Sequence, residues 1–307
     1  MKVFLTGGRG MVGQHVKREL EKIGHEVSAP SSLELDLRDS SATLKSIEDF
    51  GPDALIHTAA IVGGIQANIQ GGGSFLTENL AIDNSVIFGA KAAGVKNLIY
   101  VGSSCMYPAN RLEPLRISDL LSGPLEPTNA SYALAKITGA KAAEAFDSNE
   151  NLNWKTFIAS NMYGPGDHFE PAKSHLLAAI ISKVSTAKFE NLKEIVMWGD
   201  GVVKREFTYV LDFAQWVAAS VSSLEDFPSL LNVGCGEDFT VREFYEIVMR
   251  ELGFEGKLVA DLSKPNGNLR KLMDSSVARG LGWKPSTSIN QGIIDTHQWL
   301  LENSPNA

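Results

Sequence analysis

The chain has 307 residues, of which 44% are hydrophobic and 21% are charged, so it can build one large domain and a smaller one. Its formal net charge is −8, and the lack of a basic run argues against a nucleic-acid partner. No apolar stretch approaches the roughly 20 residues of a membrane span, and no basic-then-apolar leader opens the chain, so we expect a cytoplasmic protein. The two cysteines, Cys105 and Cys235, lack the spacing of a metal site or a disulfide framework.

Short apolar runs alternate with amphipathic stretches through the first half of the chain. This rhythm is typical of a doubly wound parallel sheet. The runs at 3–5 and 98–101 are continuously apolar, as expected where helices cover both faces of a sheet. In chain order the pattern predicts strands at 3–6, 26–29, 54–58, 97–102 and 155–159, with helices at 13–22, 79–93 and 133–145.

Beyond residue 161 the pattern is less regular and predicts helices at 176–187, 241–252 and 290–302, with a strand at 194–198. We predict an α/β protein in which residues 1–160 form a dinucleotide-binding Rossmann core, to which a segment near 205–235 returns. Residues 161–307 would form mainly a smaller C-terminal α/β cap that closes over a substrate at the carboxyl ends of the strands. The three glycines at 71–73 predict a flexible spot, either an ordinary surface loop or a gate.

A glycine-rich motif lies between the first strand and the first helix. Glycine permits a tight turn and a close approach of the backbone to a pyrophosphate, which then faces the helix N-terminus. The motif therefore predicts a dinucleotide cofactor. It comprises Gly7, Gly8, Arg9, Gly10, Met11, Val12 and Gly13, with the G-x-x-G-x-x-G pattern at 7, 10 and 13.

The residues after the second strand indicate which dinucleotide binds. An acid there favours NAD, whereas a basic group near the ribose favours NADP. The strand runs into Pro30, Ser31 and Ser32 without an acid, and Arg9 can offer its guanidinium to a 2′-phosphate. We predict NADP(H). Asp36 can accept a hydrogen bond from the adenine amino group, or it can cap its own loop.

Tyr132 and Lys136 are spaced to share one helix face and reach the same ligand. A neighbouring ammonium and a positive nicotinamide would favour the ionised tyrosine, which could then exchange a proton with a carbonyl near neutral pH. Ser103, at the end of an apolar strand, could hydrogen-bond the same carbonyl oxygen. Together the three residues predict carbonyl reduction or alcohol oxidation.

These and further motifs resemble the GDP-L-fucose synthase family, the epimerase/reductases of the extended short-chain dehydrogenase/reductases. The resemblance implies NADPH as cofactor, a homodimer, and a GDP-linked 4-keto sugar as substrate, either GDP-4-keto-6-deoxy-D-mannose or a close relative. The matching segments are 59–65 (AAIVGGI), 102–108 (GSSCMYP), 125–129 (LEPTN), 161–165 (NMYGP), 174–175 (SH), 198–201 (WGDG), 205–207 (REF), 232–234 (NVG) and 270–272 (RKL).

The resemblance also implies roles for single residues. Ser103, Tyr132 and Lys136 would serve hydride transfer, and Cys105 and His175 would move protons during epimerisation at C3 and C5. Such protons are acidic because the resulting carbanion delocalises into the 4-keto group. Without the resemblance, Cys105 is more typical of a buried small apolar residue, and His175 of a solvated or capping one. Further cofactor contacts would come from Ala59, Lys136, Asn161 and Met162, and substrate contacts from His175, Lys183, Trp198, Arg205 and Asn266.

Three positions depart from the family pattern. Lys183 stands where an arginine is usual, which keeps the charge but loses the bidentate geometry. Asn266 replaces a carboxylate that could bind a substrate hydroxyl, and the stretch 30–32 replaces basic residues after the second strand. The first two lie near the expected substrate, so they concern the sugar more than the reaction. Arg205 could bind a diphosphate, or it could form a salt bridge to a residue such as Asp212.

The predicted function is NADPH-dependent epimerisation at C3 and C5 and reduction at C4 of GDP-4-keto-6-deoxy-D-mannose to GDP-L-fucose. One alternative is a C4 reductase, with or without epimerisation, of a related GDP-4-keto deoxy-sugar or heptose; intact Cys105 and His175 favour the bifunctional enzyme. Another is a redox-neutral 4-epimerase that holds NAD permanently, against which the missing acid argues. A nucleotide-sensing regulator on the same fold would not need Ser103, Tyr132 and Lys136 together.

Overall fold

A computed structural model describes residues 1–63, 65–150, 152–170, 174–264 and 267–303, with the backbone alone for 65–70. The described strands are β1 (Lys2–Thr6), β2 (Glu26–Ser28), β3 (Ala54–His57), β4 (Asn97–Ser103), β5 (Asn153–Ala159), β6 (Asn161–Tyr163), β7 (Glu194–Trp198), β8 (Lys204–Tyr209), β9 (Leu230–Val233), β10 (Asp238–Thr240), β11 (Lys257–Asp261) and β12 (Arg270–Lys271). The described α-helices are α1 (Met11–Lys22), α2 (Ser40–Phe50), α3 (Ile65–Ala92), α4 (Ala130–Glu150), α5 (Leu176–Phe189), α6 (Val210–Ser220), α7 (Val241–Leu252), α8 (Ser276–Gly280) and α9 (Ile289–Asn303).

A six-stranded parallel sheet in the order β2-β1-β3-β4-β5-β9 forms the centre of the molecule. Successive strand residues point to opposite faces. Phe4 and Leu55 pack on the face covered by α2, α3 and α4, whereas Val3, Leu5 and Ile56 pack on the face covered by α1 and α6. Helices on both faces explain why these strands are apolar throughout, and the predicted doubly wound sheet is confirmed.

The order of the strands reverses at β1, which lies between β2 and β3. In an open α/β sheet, such a reversal opens a crevice at the carboxyl ends of the strands, where ligands bind. Thr6 ends β1 and His57 ends β3, and the glycine-rich motif follows Thr6 directly. The fold therefore places the predicted cofactor motif at the crevice.

Smaller sheets and helices form a second layer beside this crevice. Strand β8 pairs with β6, β10 and β12, and β7 pairs with β11. Their common core contains Leu177 of α5, Phe244 of α7 and Ile293 of α9, all fully buried. These elements surround the strands that carry Trp198 and Arg205.

The glycines at 71–73 lie within α3, so the prediction of a loop there is wrong. Gly71 has the non-helical angles φ −105° and ψ 17°, so α3 consists of two helical stretches joined by a kink at this residue. A Cβ atom on Gly71 would lie 3.0 Å from the Phe75 ring, so the glycine permits this close packing. Packing thus outweighs the weak helix propensity of glycine. Although α3 spans 28 residues, no helix in the described parts of the chain is long and apolar enough to cross a membrane.

Candidate active site

The glycine-rich motif forms a turn into which side chains would not fit. Gly7 has φ +74°, and a Cβ atom there would lie 2.7 Å from the backbone nitrogen of Ala59. A Cβ atom on Gly13 would overlap the carbonyl oxygen of Gly7, and one on Gly8 would lie 2.7 Å from the Cβ of Ala29. Glycine is therefore needed for the turn to lie against the end of β3 and for α1 to pack against the turn.

The start of α1 fits the pyrophosphate of a dinucleotide. Gly10 precedes the helix and donates its own N–H to the carbonyl of Gly7 at 2.9 Å, and no side chain caps the helix. The N–H groups of Met11, Val12 and Gly13 therefore remain for an external acceptor, as is usual in the first turn of a helix. The dipole of α1 adds favourable charge for an anion at this point.

Arg9 lies exposed in the turn, beside an acid that the sequence interpretation missed. Hydrogen bonds from the N–H and the hydroxyl of Ser31 hold the pKa of Glu34 below its ordinary value, with a smaller contribution from the charge of Arg9. Glu34 is the first acid after β2, beyond the serines considered above. Both hydrogen bonds from Ser31 go to the Oε2 atom of Glu34, and a contact of Arg9 with a phosphate stays a prediction.

Asp36 is bound to its own loop. Arg38 donates to it from Nε at 2.9 Å, from Nη2 at 2.8 Å and from its backbone N–H at 3.0 Å. These bonds lower the pKa of Asp36 to about 2. The loop-capping alternative therefore describes this residue, and a contact with adenine remains a prediction.

Ser103, Tyr132 and Lys136 lie where β4 ends and α4 begins. The side chain of Ser103 lies near the hydroxyl of Tyr132, and the ammonium of Lys136 is buried one turn further along the helix. Desolvation raises the pKa of Tyr132, the charges of Cys105 and Asp83 add to this, and the side chain of Ser103 opposes it. Desolvation therefore favours the protonated hydroxyl, and the prediction of an ionised tyrosine, which includes a positive nicotinamide beside it, stays a prediction. A protonated hydroxyl can donate its proton to a carbonyl oxygen when a hydride reduces the carbonyl.

Cys105 lies beside this set in a 3-10 turn, Ser104–Met106, that follows β4. Its backbone N–H donates to Ser103 Oγ at 3.2 Å. Its sulfur accepts from Asn129 Nδ2 at 3.3 Å and faces Lys271 Nζ at 3.7 Å. An amide donor and an ammonium both stabilise negative charge on sulfur once the thiol gives up its proton. Asn129 and Lys271 were not predicted to contact the thiol, although both belong to matching motifs.

His175 precedes α5 and lies with 39% of its side chain exposed. Its Nδ1 atom lies 3.6 Å from Asp167 Oδ1. His175 therefore lies beside a carboxylate, whereas the thiol of Cys105 lies beside an amide and an ammonium. Within the described ranges, the buried atoms without a hydrogen-bond partner include His175 Nδ1, Asp167 Oδ2 and Asn129 Oδ1. Buried polar atoms normally have partners, so these are available to a ligand or to water.

Lys183 and Trp198 both belong to the second layer, on α5 and β7. Lys183 Nζ donates to the carbonyl of Val196 at 2.8 Å and lies 5.9 Å from the ring of Tyr245, and burial lowers its pKa. Trp198 is 53% exposed at the end of β7, and Lys264 Nζ lies 5.4 Å from its ring centroid. An exposed indole beside the ammonium of Lys264 suits a flat, negatively charged ligand such as a nucleotide.

Arg205 is held by backbone carbonyls, and no ion pair joins it to an acid among the residues that the structure describes. Its Nη1 atom donates to the carbonyls of Lys204 and Asn268, each at 2.7 Å, and burial lowers its pKa. Asp212 instead accepts hydrogen bonds from Ser286 and Thr287, so the salt-bridge alternative for Arg205 is wrong.

The remaining predicted contacts lie around the same crevice. Asn161 and Met162 form β6 directly after β5, and Asn161 Nδ2 donates to the carbonyl of Glu206 at 2.9 Å. The prediction for Asn266 lies outside the described residues. In the part of the chain that the structure describes, no cluster of three or more His, Cys, Asp or Glu residues could hold a metal ion.

The fold and these side chains define a dinucleotide-dependent enzyme of the Rossmann type. A model of the NAD dependent epimerase/dehydratase family matches residues 3–234. GDP-L-fucose synthase of Azorhizobium caulinodans is 43% identical over 98% of this chain and 96% of its own length. GDP-L-colitose synthase of Yersinia pseudotuberculosis is 38% identical over the full length of both.

Among solved structures, a GDP-mannoheptose C4 reductase from Campylobacter jejuni with NADP bound is similar, with a TM-score of 0.88. It is 30% identical, and the match covers 98% of each chain. The chain belongs to the NAD dependent epimerase/dehydratase family, and the resemblance to the GDP-L-fucose synthases predicted from its sequence is confirmed.

Proposed function

We propose that the protein converts GDP-4-keto-6-deoxy-D-mannose to GDP-L-fucose by epimerisation at C3 and C5 and NADPH-dependent reduction at C4. One observation carries this proposal: Ser103 lies near the Tyr132 hydroxyl and accepts the backbone N–H of Cys105, so the three side chains are neighbours. The carbonyl-reducing residues and a thiol that can move a proton can therefore reach the same bound substrate. The synthase of A. caulinodans supports the choice of sugar.

The cofactor is NADP(H), which supplies the hydride when bound. The turn at 7–13 and the start of α1 hold its pyrophosphate, and Arg9 binds the 2′-phosphate. The C. jejuni reductase, whose structure contains NADP, supports this choice. Residues 1–160 with the returning segment 205–235 form the cofactor half, and residues 161–307 form mainly the substrate half. The pairing of β9 with β5 and the shared core of α5, α7 and α9 support this division.

In the reduction, C4 gains the hydride and its oxygen takes the proton of Tyr132. Ser103 Oγ accepts the N–H of Cys105, so its own hydrogen can be donated to the same substrate oxygen. The buried ammonium of Lys136 lies one turn from Tyr132 and completes the set.

In each epimerisation, Cys105 removes a proton from the carbon beside C4, and the electron pair of the broken C–H bond moves into the carbonyl. His175 returns a proton to the opposite face, so a C–H bond is broken and another forms without net oxidation. Lys271 and Asn129 stabilise the thiolate. The unpartnered Nδ1 of His175 and the nearby Asp167 support its role as a proton donor.

The substrate nucleotide binds on the second layer. Trp198, Lys183 and Arg205 provide a flat ring and positive charge, and His175 and Asn266 complete the predicted contacts. The exposed indole with the ammonium of Lys264 beside it, and the half-buried ammonium of Lys183 on α5, support this placement.

A second candidate is a C4 reductase of a related GDP-4-keto deoxy-sugar or heptose, with or without epimerisation. The specific observation in its favour is Lys183, whose ammonium donates to a backbone carbonyl. The family usually has an arginine at this position, and an ammonium cannot form the two parallel hydrogen bonds of a planar guanidinium. Both the colitose synthase and the mannoheptose reductase among the relatives are consistent with it.

Product analysis by NMR separates the two candidates. The enzyme is incubated with NADPH and a panel of GDP-4-keto sugars, and the stereochemistry at C3, C4 and C5 of each product is assigned. GDP-L-fucose from the 6-deoxy-mannose derivative supports the main proposal. Reduction without inversion, or a clear preference for another sugar, supports the second candidate.

The enzyme is also proposed to be a cytoplasmic homodimer. Phe88 on α3 and Leu134 on α4 are large apolar side chains that remain exposed, and these two helices pack against each other. A second copy of the chain would cover them. The cytoplasm is where both nucleotide substrates are available. Sedimentation velocity tests the dimer, and a monomer at micromolar concentration contradicts it.

Replacing Arg9 with alanine should weaken NADPH binding by about tenfold and leave NADH binding nearly unchanged, because only NADPH carries a 2′-phosphate for the guanidinium. Fluorescence titration of both cofactors measures the effect. Arg18→Ala, which removes an exposed arginine from α1, is the matched control and should change neither affinity. Equal losses for the two cofactors in the Arg9 variant refute the assignment.

Replacing Lys271 with methionine should slow proton exchange at C3 and C5 by about tenfold and spare reduction at C4, because the thiolate loses its nearby charge. Exchange in heavy water and NADPH consumption are measured separately. Lys141→Met removes an exposed lysine of α4 and serves as control. If exchange is unchanged in the Lys271 variant, the thiol does not need this ammonium.

A further inference from the structure

Ser103, Tyr132 and Lys136 are called the reductase set below. A chain of buried polar side chains leads from the residue before the glycine-rich motif to Lys136. Thr6 Oγ1 lies 2.6 Å from His57 Nδ1, and His57 Nε2 lies 2.9 Å from Asp83 Oδ1. Tyr100 donates its hydroxyl to Asp83 Oδ2 at 2.6 Å, and Lys136 Nζ lies 3.8 Å from Asp83 Oδ1. All five residues are buried, and the reductase chemistry described above uses only Lys136.

The protonation states of this cluster follow from its contacts. Burial alone raises the pKa of Asp83, but Lys136, His57 and Tyr100 outweigh it and hold that pKa below its ordinary value. Burial lowers the pKa of His57 and raises that of Tyr100, so both are neutral at pH 7. Neutral His57 then donates from Nε2 to Asp83 and accepts the hydroxyl of Thr6 at Nδ1. Asp83 is therefore a fully bonded carboxylate whose one charged partner is Lys136.

Close packing fixes the geometry of this cluster. Gly139 lies one turn after Lys136, and a Cβ atom there would lie 2.6 Å from Cζ of Tyr100. The glycine lets the Tyr100 ring lie against α4, where Lys136 Nζ is 4.0 Å from its centroid. The ring of His57 meets that of Tyr100 edge-on at 5.5 Å. A carboxylate and an aromatic face thus lie against the ammonium of Lys136, whose pKa is lowered by burial and raised by the charge of Asp83, with burial the larger effect.

We propose that Asp83 is a positioning residue that keeps Lys136 charged and in place, and that His57 and Tyr100 hold Asp83 for this purpose. The inference rests on the proposed role of Lys136 in reduction. Asp83 touches neither substrate nor cofactor in this scheme and acts through Lys136. Its negative charge also reaches Tyr132 and favours the protonated hydroxyl that the reduction uses.

The charge of Lys136 can be measured in the protein without cofactor. Lysine is labelled with ¹³C at Cε, and the Lys136 resonance is assigned by its loss in Lys136→Met. In Asp83→Asn, which keeps the shape of the side chain, Lys136 should lose its proton at a pH about one unit lower or more, because an opposite charge at this distance shifts a pKa by about 1–3 units. Asp83→Glu keeps the charge and should restore the wild-type titration.

Asp147→Asn is the matched control. Asp147 is a buried carboxylate on the same helix, bonded to Lys155 at 2.9 Å. Its loss also removes a buried charge, but it should leave the Lys136 titration unchanged. An equal shift in both variants would mean that Lys136 reports general destabilisation, which overturns the proposal.

The pH profile of reduction provides the second readout. Asp83→Asn should lose kcat from the alkaline side, by about tenfold at pH 8 and little at pH 6, with the KM for the sugar unchanged. An unchanged Lys136 titration, or a kcat loss that is equal at all pH values, overturns the proposal. If Asp83→Asn does not fold, a Lys136 that is neutral at pH 7 in the wild type also overturns it. A wild type that reduces no GDP-sugar would contradict the proposed function, and the Lys136 titration would still decide the role of Asp83.

Discussion

Tyr132→Phe should abolish reduction at C4 and leave NADPH binding unchanged. The phenyl ring keeps the packing of the tyrosine, but the substrate oxygen loses its proton donor. A general acid contributes about 10²- to 10⁴-fold to the rate, so the loss should be of that order. Because desolvation raises the pKa of Tyr132, the wild-type hydroxyl carries its proton throughout the neutral range. The rate is measured from NADPH absorbance, and binding from NADPH fluorescence.

The control for this variant is Tyr107→Phe. The hydroxyl of Tyr107 is also buried and donates to Asn232 Oδ1 at 2.5 Å, outside the reductase set. Its loss should lower stability and keep the rate of reduction. Tyr132→Phe should also retain deuterium exchange at C3 and C5, since that step uses Cys105. If Tyr132→Phe reduces the ketone at the wild-type rate, another group donates the proton.

The central sheet could be predicted because its determinants are local. Strands buried on both faces are largely apolar, and the runs at 3–5 and 54–56 show this directly. Helix α2 was missed although its boundaries carry readable residues. Asp39 caps its start by accepting the N–H of Ala42, and Gly51 ends it with φ +62°. Because the segment has few apolar residues at helical spacing, its pattern did not predict a helix, and the two capping residues were not interpreted as helix ends.

In the active site, too, contacts within one element could be predicted and contacts between distant elements could not. The spacing of Tyr132 and Lys136 and the nearness of Ser103 to Cys105 follow from single elements, so the sequence could predict them. The contact of Lys271 with Cys105 joins residues 166 positions apart and depends on how β12 pairs with β8. The pairing of Asp83 with Lys136 likewise needs α3 to pack on α4. Such contacts arise from topology, which no local pattern specifies.

Cys105→Ser should lose most deuterium incorporation at C3 and C5 when the enzyme acts on a 4-keto sugar in heavy water. A serine hydroxyl holds its proton far more tightly than a thiol, so the base is lost although Lys271 and Asn129 remain in place. Reduction of the unepimerised ketone should partly survive, because Ser103 and Tyr132 are unchanged. NMR follows both signals in one sample.

Two further variants sharpen this test of separable chemistry. Cys235→Ser removes the other thiol, whose sulfur donates to the carbonyl of Glu237 at 3.4 Å, and it should exchange deuterium at the wild-type rate. His175→Asn should impair inversion and also weaken substrate binding, because an imidazolium can stabilise the enolate as well as return the proton. If Cys105→Ser incorporates deuterium as fast as the wild type, the cysteine is not the base. If the wild type reduces a GDP-4-keto sugar without any exchange, the enzyme is a simple 4-reductase, and the thiol beside Ser103 serves only to shape the site.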